Sequence, residues 1–207
     1  WLGRYFGRIL SRKNEIQETP TVPSFLSESA FQEIPGLFQE LISGVYLEMI
    51  GLLGKRTAEL HLAMSSETED MSFAPEPFSV SYQRSLYQSM QSLTKRVFLL
   101  LSKNMKNLPD NLKGLAGEIL HREKEIMDRF RGILRKRISA MKIRIHGDYH
   151  LGQVLYTGND FFIIDFEGEL ARTLSDRRLK RSPLRDIASM IRSFRYATHA
   201  ALSKYTP

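Results

Sequence analysis

One octapeptide concentrates side chains that can do chemistry: His146-Gly147-Asp148-Tyr149-His150-Leu151-Gly152-Gln153, followed further on by Asp165-Phe166-Glu167-Gly168-Glu169. Between them, Val154-Leu155-Tyr156 and Phe161-Phe162-Ile163-Ile164 are β-prone and flank Gly158-Asn159-Asp160, a tight-turn sequence. Positions 153 and 165 are equidistant from residue 159. A three-residue loop there pairs 154 with 164 and 153 with 165, and paired residues share one face about 4.5–5.5 Å apart at Cα. This geometry sets Gln153 beside Asp165 at the open end of the hairpin. A carboxylate beside an amide oxygen suits Mg²⁺, since hard cations take oxygen ligands. Asp148 lies on the loop leading into the same end and brings a third acidic group to it.

Phosphoryl transfer to a hydroxyl needs this layout. One carboxylate orients the acceptor hydroxyl and takes its proton, while further oxygen ligands hold Mg²⁺ against the nucleotide phosphates. Kinase catalytic loops read His-x-Asp with an Asn five residues after the Asp, then Asp-Phe-Gly on the next strand. Here the spacing from Asp148 to the amide matches, but Gln153 stands for Asn and Glu167 for the Gly. Those departures argue against a protein kinase. Among the neighbouring residues, His146 reads as a structural hydrogen-bonder, and His150 is open between loop packing and substrate contact. His61 and Met64 read as packing or surface residues. Asp186 either ties down the catalytic loop or complements the N-terminal dipole of its helix, with the dipole preferred.

The elements that must position these groups are mostly helical. Residues 14–36 carry Pro20, Pro23 and Pro35 among polar residues, which predicts loop and short irregular helices up to residue 36. Apolar residues recur at helical spacing over 37–64, from about Val80 to Met105, and over 111–138, with Pro109 between the last two. Residues 37–140 thus form a helical subdomain, and residues 141–170 hold the catalytic loop and hairpin. Ile143-Arg144-Ile145 alternates like a short strand. Ser182-Pro183 reads as an N-cap and first-turn proline for a helix within 182–205. The expected fold class is mainly α with a small β-hairpin insert, an α+β arrangement.

Composition narrows the context. With 42% hydrophobic residues in 207, the chain can bury a sizeable core. It has no cysteine, which excludes a disulfide framework and a thiolate metal site. No apolar run approaches the roughly 18 residues that span a bilayer, and the balance points to a cytoplasmic protein with no membrane partner. The net charge of +7 is concentrated in eight basic residues from Arg172 to Arg195, against Asp176 and Asp186. That cluster reads as a phosphate-attracting patch or as one solvated helix face. Nucleic-acid binding is disfavoured, because the aromatic-and-basic interleaving of single-strand binders is thin.

Three blocks together carry a family resemblance: residues 144–155, Ile164-Asp165-Phe166-Glu167-Gly168-Glu169, and Ser182-Pro183-Leu184-Arg185-Asp186-Ile187-Ala188 with Met190, Arg192, Ser193 and Phe194. They resemble the bacterial maltokinases, kinases of the aminoglycoside-phosphotransferase-like fold that also occur fused to trehalose synthase. The resemblance runs through residues 141–200 and, less densely, through 45–64, where Leu53-Gly54-Lys55-Arg56-Thr57-Ala58-Glu59-Leu60-His61 looks like a further block. It implies ATP- and Mg²⁺-dependent phosphorylation of maltose to maltose 1-phosphate for α-glucan synthesis. Asp148 would be the base, Gln153 and Asp165 the ligands of Mg²⁺ and its nucleotide, and Glu167 a support for the metal site. It also implies that the chain, which starts at Trp1, is the C-terminal lobe of the kinase. The Gly-rich loop and the phosphate-pairing lysine would then belong to an N-terminal lobe. Alternatives that stay open are a kinase of the same fold for another alcohol, such as an aminoglycoside, choline or a different sugar, and a catalytically silent module appended to trehalose synthase.

Overall fold

The computed structural model describes residues 2–12, 14, 40–42, 44–66 and 69–204. In chain order the elements are α1 (Leu2–Ser11), α2 (Gly44–Ser66), β1 (Glu76–Pro77), α3 (Val80–Asn104), α4 (Asp110–His121), α5 (Glu123–Arg131), β2 (Met141–Lys142), β3 (Val154–Tyr156), β4 (Phe161–Ile163), α6 (Leu174–Arg178) and α7 (Leu184–Leu202). The described chain is mainly helical, with two small antiparallel sheets, β1–β2 and β3–β4. No helix among the described residues is long and apolar enough to cross a membrane. The loop expected over the proline-bearing stretch lies, apart from Asn14, outside the described residues.

The chain divides into two compact units, Trp1–Pro75 with Ile143–Pro207, and Glu76–Lys142. In the second, Ser79 caps α3 by accepting from Tyr82 N at 3.1 Å, and Pro109 stands just before α4. Phe78, Phe98, Ala116 and Met127 are buried there. Gln83, 3% exposed, donates to the carbonyls of Ile133 and Lys136 and so fixes the chain end of the bundle to α3. The helix expected over 111–138 is broken at Arg122 into α4 and α5. Residues 121–125 offer no apolar side chain to hold another turn against the core. The strand expected at Ile143–Ile145 falls instead at Met141–Lys142, paired with Glu76–Pro77. Pro77 is tolerated because a two-stranded sheet leaves edge positions that need no donor, and Lys142 Nζ holds Glu76 at 2.8 Å.

The first unit has α2 as its spine. Leu53 on α2, Tyr149 on the loop before β3 and Met190 on α7 form its buried centre, with Leu151, Val154, Phe161, Ile163 and Phe194 packed around them. Full burial of such side chains is worth about 1.5–3 kcal/mol each. Loop, hairpin and α7 are therefore fastened to one core. The α7 start falls one residue later than its sequence signal: Pro183 stands at the N-cap and Leu184 is the first helical residue, while Ser182 Oγ accepts from Leu184 N at 3.3 Å. Ile143 and Arg181 exchange backbone hydrogen bonds of 3.0 and 2.9 Å, which ties the entry of the His146–Gln153 loop to the segment before α7. The short helix α6, capped by Thr173, was not signalled by periodicity, since five residues span less than two turns.

Candidate active site

The loop from His146 to Gln153 has almost no regular structure of its own, so its shape depends on partners. Asp186, 1% exposed in the first turn of α7, is the main one. Its carboxylate accepts from His146 N at 2.9 Å, from Gly147 N at 3.0 Å, and from His61 Nε2 on α2 at 3.0 Å. Asp186 therefore ties down the His146–Gln153 loop, and the dipole role preferred from sequence is secondary. His61 is correspondingly a partner of that carboxylate rather than a generic packing residue.

His146 is buried and links the loop to the end of β4. Its Nε2 lies 2.9 Å from the Ile164 carbonyl, which can only accept, so the hydrogen sits on Nε2. Nδ1 is then the acceptor facing Asp148 N at 3.4 Å. The ring packs between Tyr149 and Phe166, with centroids 5.3 and 5.2 Å away. This agrees with a structural hydrogen-bonding role. Tyr149 is anchored from α2: its hydroxyl lies 2.7 Å from Thr57 Oγ1, which donates its own hydrogen to Leu53 O at 2.8 Å. Tyr149 is thus the donor to Thr57, and burial pushes its phenol pKa up. Leu151 N donates to Ser193 Oγ at 3.1 Å, adding a second tether to α7.

Asp148 is left partly exposed, with its carboxylate 3.9 Å from His150 Nε2. His150 Nδ1 accepts from Gly152 N at 3.0 Å and caps the 3₁₀ turn Leu151–Gln153. Loop packing is therefore one established part of what His150 does.

The hairpin register differs from expectation by one residue. Val154 pairs with Ile163, Leu155 with Phe162 and Tyr156 with Phe161. The turn is centred between Gly158 and Asn159, because Gly158 takes φ +100 at the first loop position, as a two-residue turn of the II′ kind requires. Ile164 N accordingly bonds Gln153 O at 3.0 Å, and strand alternation alone would turn Asp165 away from Gln153. The two side chains nevertheless meet: Gln153 Nε2 donates to Asp165 Oδ2 at 2.7 Å. Asp165 makes this possible with φ +65, the one positive φ outside glycine among the described residues. That conformation costs about 1–2 kcal/mol in an L-residue and persists only where the surroundings enforce it.

Gln153 and Asp165 thus present hard oxygen donors side by side, and a half-turn of the amide brings Oε1 round in place of Nε2. This suits Mg²⁺ bound through one or two protein oxygens and completed by phosphate and water. No cluster of three His, Asp or Glu side chains forms a closed cage among the described residues. The Glu167 side chain is 71% exposed, with Oε2 4.0 Å from Arg177 Nη1.

Arg56 carries no local sequence signal for what it does. Its Nε and Nη2 grip Asp160 Oδ1 and Oδ2 at 2.8 and 2.7 Å, fixing the hairpin tip to α2. The Arg56 hydrogen bonds, followed by that from Phe161 N, hold the Asp160 carboxyl at about 2. Thr57 and His61 carried a readable signal: with Leu53 they recur every four residues, placing a hydroxyl and an imidazole within the apolar stripe of α2. The basic cluster of residues 172–195 is not one helix face. Lys180 is buried with Nζ on Met71 O at 2.6 Å, Arg172 pairs with Glu169, and Arg181 lies 3.8 Å from Asp176.

No family model matches the chain. Its fold resembles that of sugar kinases. Two crystal forms of glucosamine kinase match with TM-score 0.56 and 19% identity, covering 75% of this chain and 34% and 32% of those chains. A structure of glucosamine kinase in complex with glucosamine, ADP and inorganic phosphate matches equally, at TM-score 0.56 and 19% identity over 75% of this chain. The chain spans about a third of the length of these solved structures.

Proposed function

We propose that this chain carries the acceptor-activating part of an ATP-dependent sugar kinase, with maltose as acceptor and maltose 1-phosphate as product. The observation that carries the kinase reading is the Gln153–Asp165 pair, 2.7 Å apart, beside a loop that leaves Asp148 partly exposed while burying its scaffold. Asp148 orients the acceptor hydroxyl and takes its proton as the oxygen attacks the terminal phosphorus of ATP and the bond from that phosphorus to the ADP oxygen breaks. Gln153 and Asp165 would hold Mg²⁺, which supplies charge neutralisation at the phosphates. Glu167 is assigned a supporting role at that site. His146 and Asp186 keep the loop in place, and His150 is near enough to Asp148 to influence its orientation.

The fold likeness to glucosamine kinase, solved with a sugar and ADP, supports a sugar acceptor and ATP as donor. Maltose rests on the resemblance of residues 141–200 to maltokinases. With a third of the neighbours' length matched, the elements that grip the nucleotide phosphates are proposed to lie in a further lobe, and a trehalose synthase fusion is one such setting. The test is ADP release by the polypeptide carrying this chain, with maltose, glucosamine, glucose, choline and an aminoglycoside offered in turn. Maltose should be preferred, and Asp148→Asn should lower kcat by at least about two orders of magnitude with little change in ATP affinity. A preferred acceptor other than maltose overturns the substrate assignment. Turnover by the variant above about a tenth of the parent's removes Asp148 from the role of base.

A further inference from the structure

Arg177 makes contacts that neither the loop nor the hairpin explains. Thr173 caps the five-residue α6 by accepting from Asp176 N at 3.2 Å, and α6 carries Arg177 against the Asp165–Gly168 turn. Its Nη1 donates to the Glu167 carbonyl at 3.1 Å. Its aliphatic stem lies on Gly168, where an added Cβ would meet Arg177 Cβ and Cγ at 3.5 Å. Gly168 has φ +75, so no other residue would sit there without strain. On the opposite side, a Cβ on Gly147 would stand 3.6 Å from Gly168 Cα. Loop backbone, turn and arginine are therefore close enough that a Cβ on Gly147 or Gly168 would be in van der Waals contact with its neighbour.

The chemistry of this arginine is unusual for a surface ion pair. Its side chain is 19% exposed, its nearest carboxylate oxygen is 4.0 Å away, and its buried Nε has no hydrogen-bond partner among the described residues. Burying a donor unpaired is costly, so the position is held by the packing on Gly168 and the bond to Glu167 O. The turn it touches is bracketed by two positive-φ residues, Asp165 at +65 and Gly168 at +75. Such a backbone needs external contacts to persist, and Arg177 supplies one from outside the turn. We propose that Arg177 is a positioning residue that holds the Asp165–Gly168 turn and thereby aims the Asp165 carboxylate at Gln153. The consequence for metal binding rests on the phosphotransfer function proposed above.

Two measurements on the full chain test it: amide hydrogen exchange of Phe166, Glu167 and Gly168, and Mn²⁺ binding followed by the loss of the free-ion EPR signal. Arg177→Met keeps the stem on Gly168 and deletes the donor. It should accelerate exchange in the turn and weaken Mn²⁺ binding about tenfold to a hundredfold, the usual effect of removing a group that orients a metal ligand. Arg177→Lys, which keeps a cationic donor, should recover most of both. Arg177→Leu, which also lacks a donor, carries the same expectations as the Met variant and replaces it if that variant does not fold. Unchanged exchange in the donor-less variant overturns the proposal, as does parental Mn²⁺ affinity alongside accelerated exchange. Failure of the unmutated chain to bind Mn²⁺ counts against the Gln153–Asp165 metal site rather than against Arg177, and the exchange comparison still decides whether Arg177 holds the turn.

Discussion

Asp186→Asn separates two roles for one buried carboxylate. Asp186 Oδ2 accepts from both His146 N and His61 Nε2, and Oδ1 accepts from Gly147 N. The amide is the same shape but turns one acceptor into a donor. Its least harmful orientation keeps an oxygen at the Oδ2 position and sets an NH₂ against Gly147 N–H. One buried donor is then orphaned, at about 1–3 kcal/mol, and the remaining bonds lose the strength that comes from a charged acceptor. The expected total is about 2–4 kcal/mol. At about 2–4 °C per kcal/mol for a chain of this size, the melting temperature falls by roughly 5–15 °C. Circular dichroism melting reports the loss, and hydrogen exchange at His146 and Gly147 reports its place. If the carboxylate served chiefly the helix dipole, the loss would be about 0.3–1 kcal/mol with unchanged protection at those amides. That result refutes the tether.

Two other perturbations have definite outcomes. Asp165→Ala should abolish phosphotransfer at every Mg²⁺ concentration, whereas Gln153→Asn should retain activity because it restores the commoner kinase amide; an active Asp165→Ala with unaltered Mg²⁺ dependence would make the ligand pair wrong. In the folded chain Asp160 titrates at about 2, below the ordinary aspartate value of about 3.9. The sign follows from the lowered value: its pairing with Arg56 stabilises the fold fully above about pH 4, and that stability is lost as pH falls through about 2. Arg56→Gln should return the Asp160 carboxyl most of the way toward the ordinary value in an NMR titration, and a value still near 2 would show that Arg56 is not the cause.

The parts of the molecule that declare themselves in sequence are those governed by local rules. The helices α3 and α7 follow apolar spacing, and the hairpin follows two β-prone runs around a glycine turn. The register slipped by one because Gly158-Asn159-Asp160 contains two acceptable turn centres, and only the backbone of Gly158 chooses between them. The pairing of Gln153 with Asp165 was legible from spacing, but for an incomplete reason. Strand alternation opposes it, and a left-handed Asp165 restores it. Asp186 lies 40 and 39 residues from the amides it binds, and Arg56 lies 104 residues from Asp160. Separations of that size leave no periodic trace. A hydroxyl and an imidazole set in the apolar stripe of α2 were the one local clue to them.

The left-handed conformation of Asp165 also bears on how this hairpin can evolve. In an ordinary ladder, adding one residue at the tip reverses the facing of every side chain below it. Here the orientation of the terminal carboxylate is decided by its own backbone after β4 has ended at Ile163. The tip is anchored separately, through Asp160 on α2. Length variation between Thr157 and Asp160 that keeps Val154 paired with Ile163 is thereby decoupled from the chemistry at the mouth, and the hairpin can be re-engineered at its far end while Gln153 and Asp165 keep their meeting point.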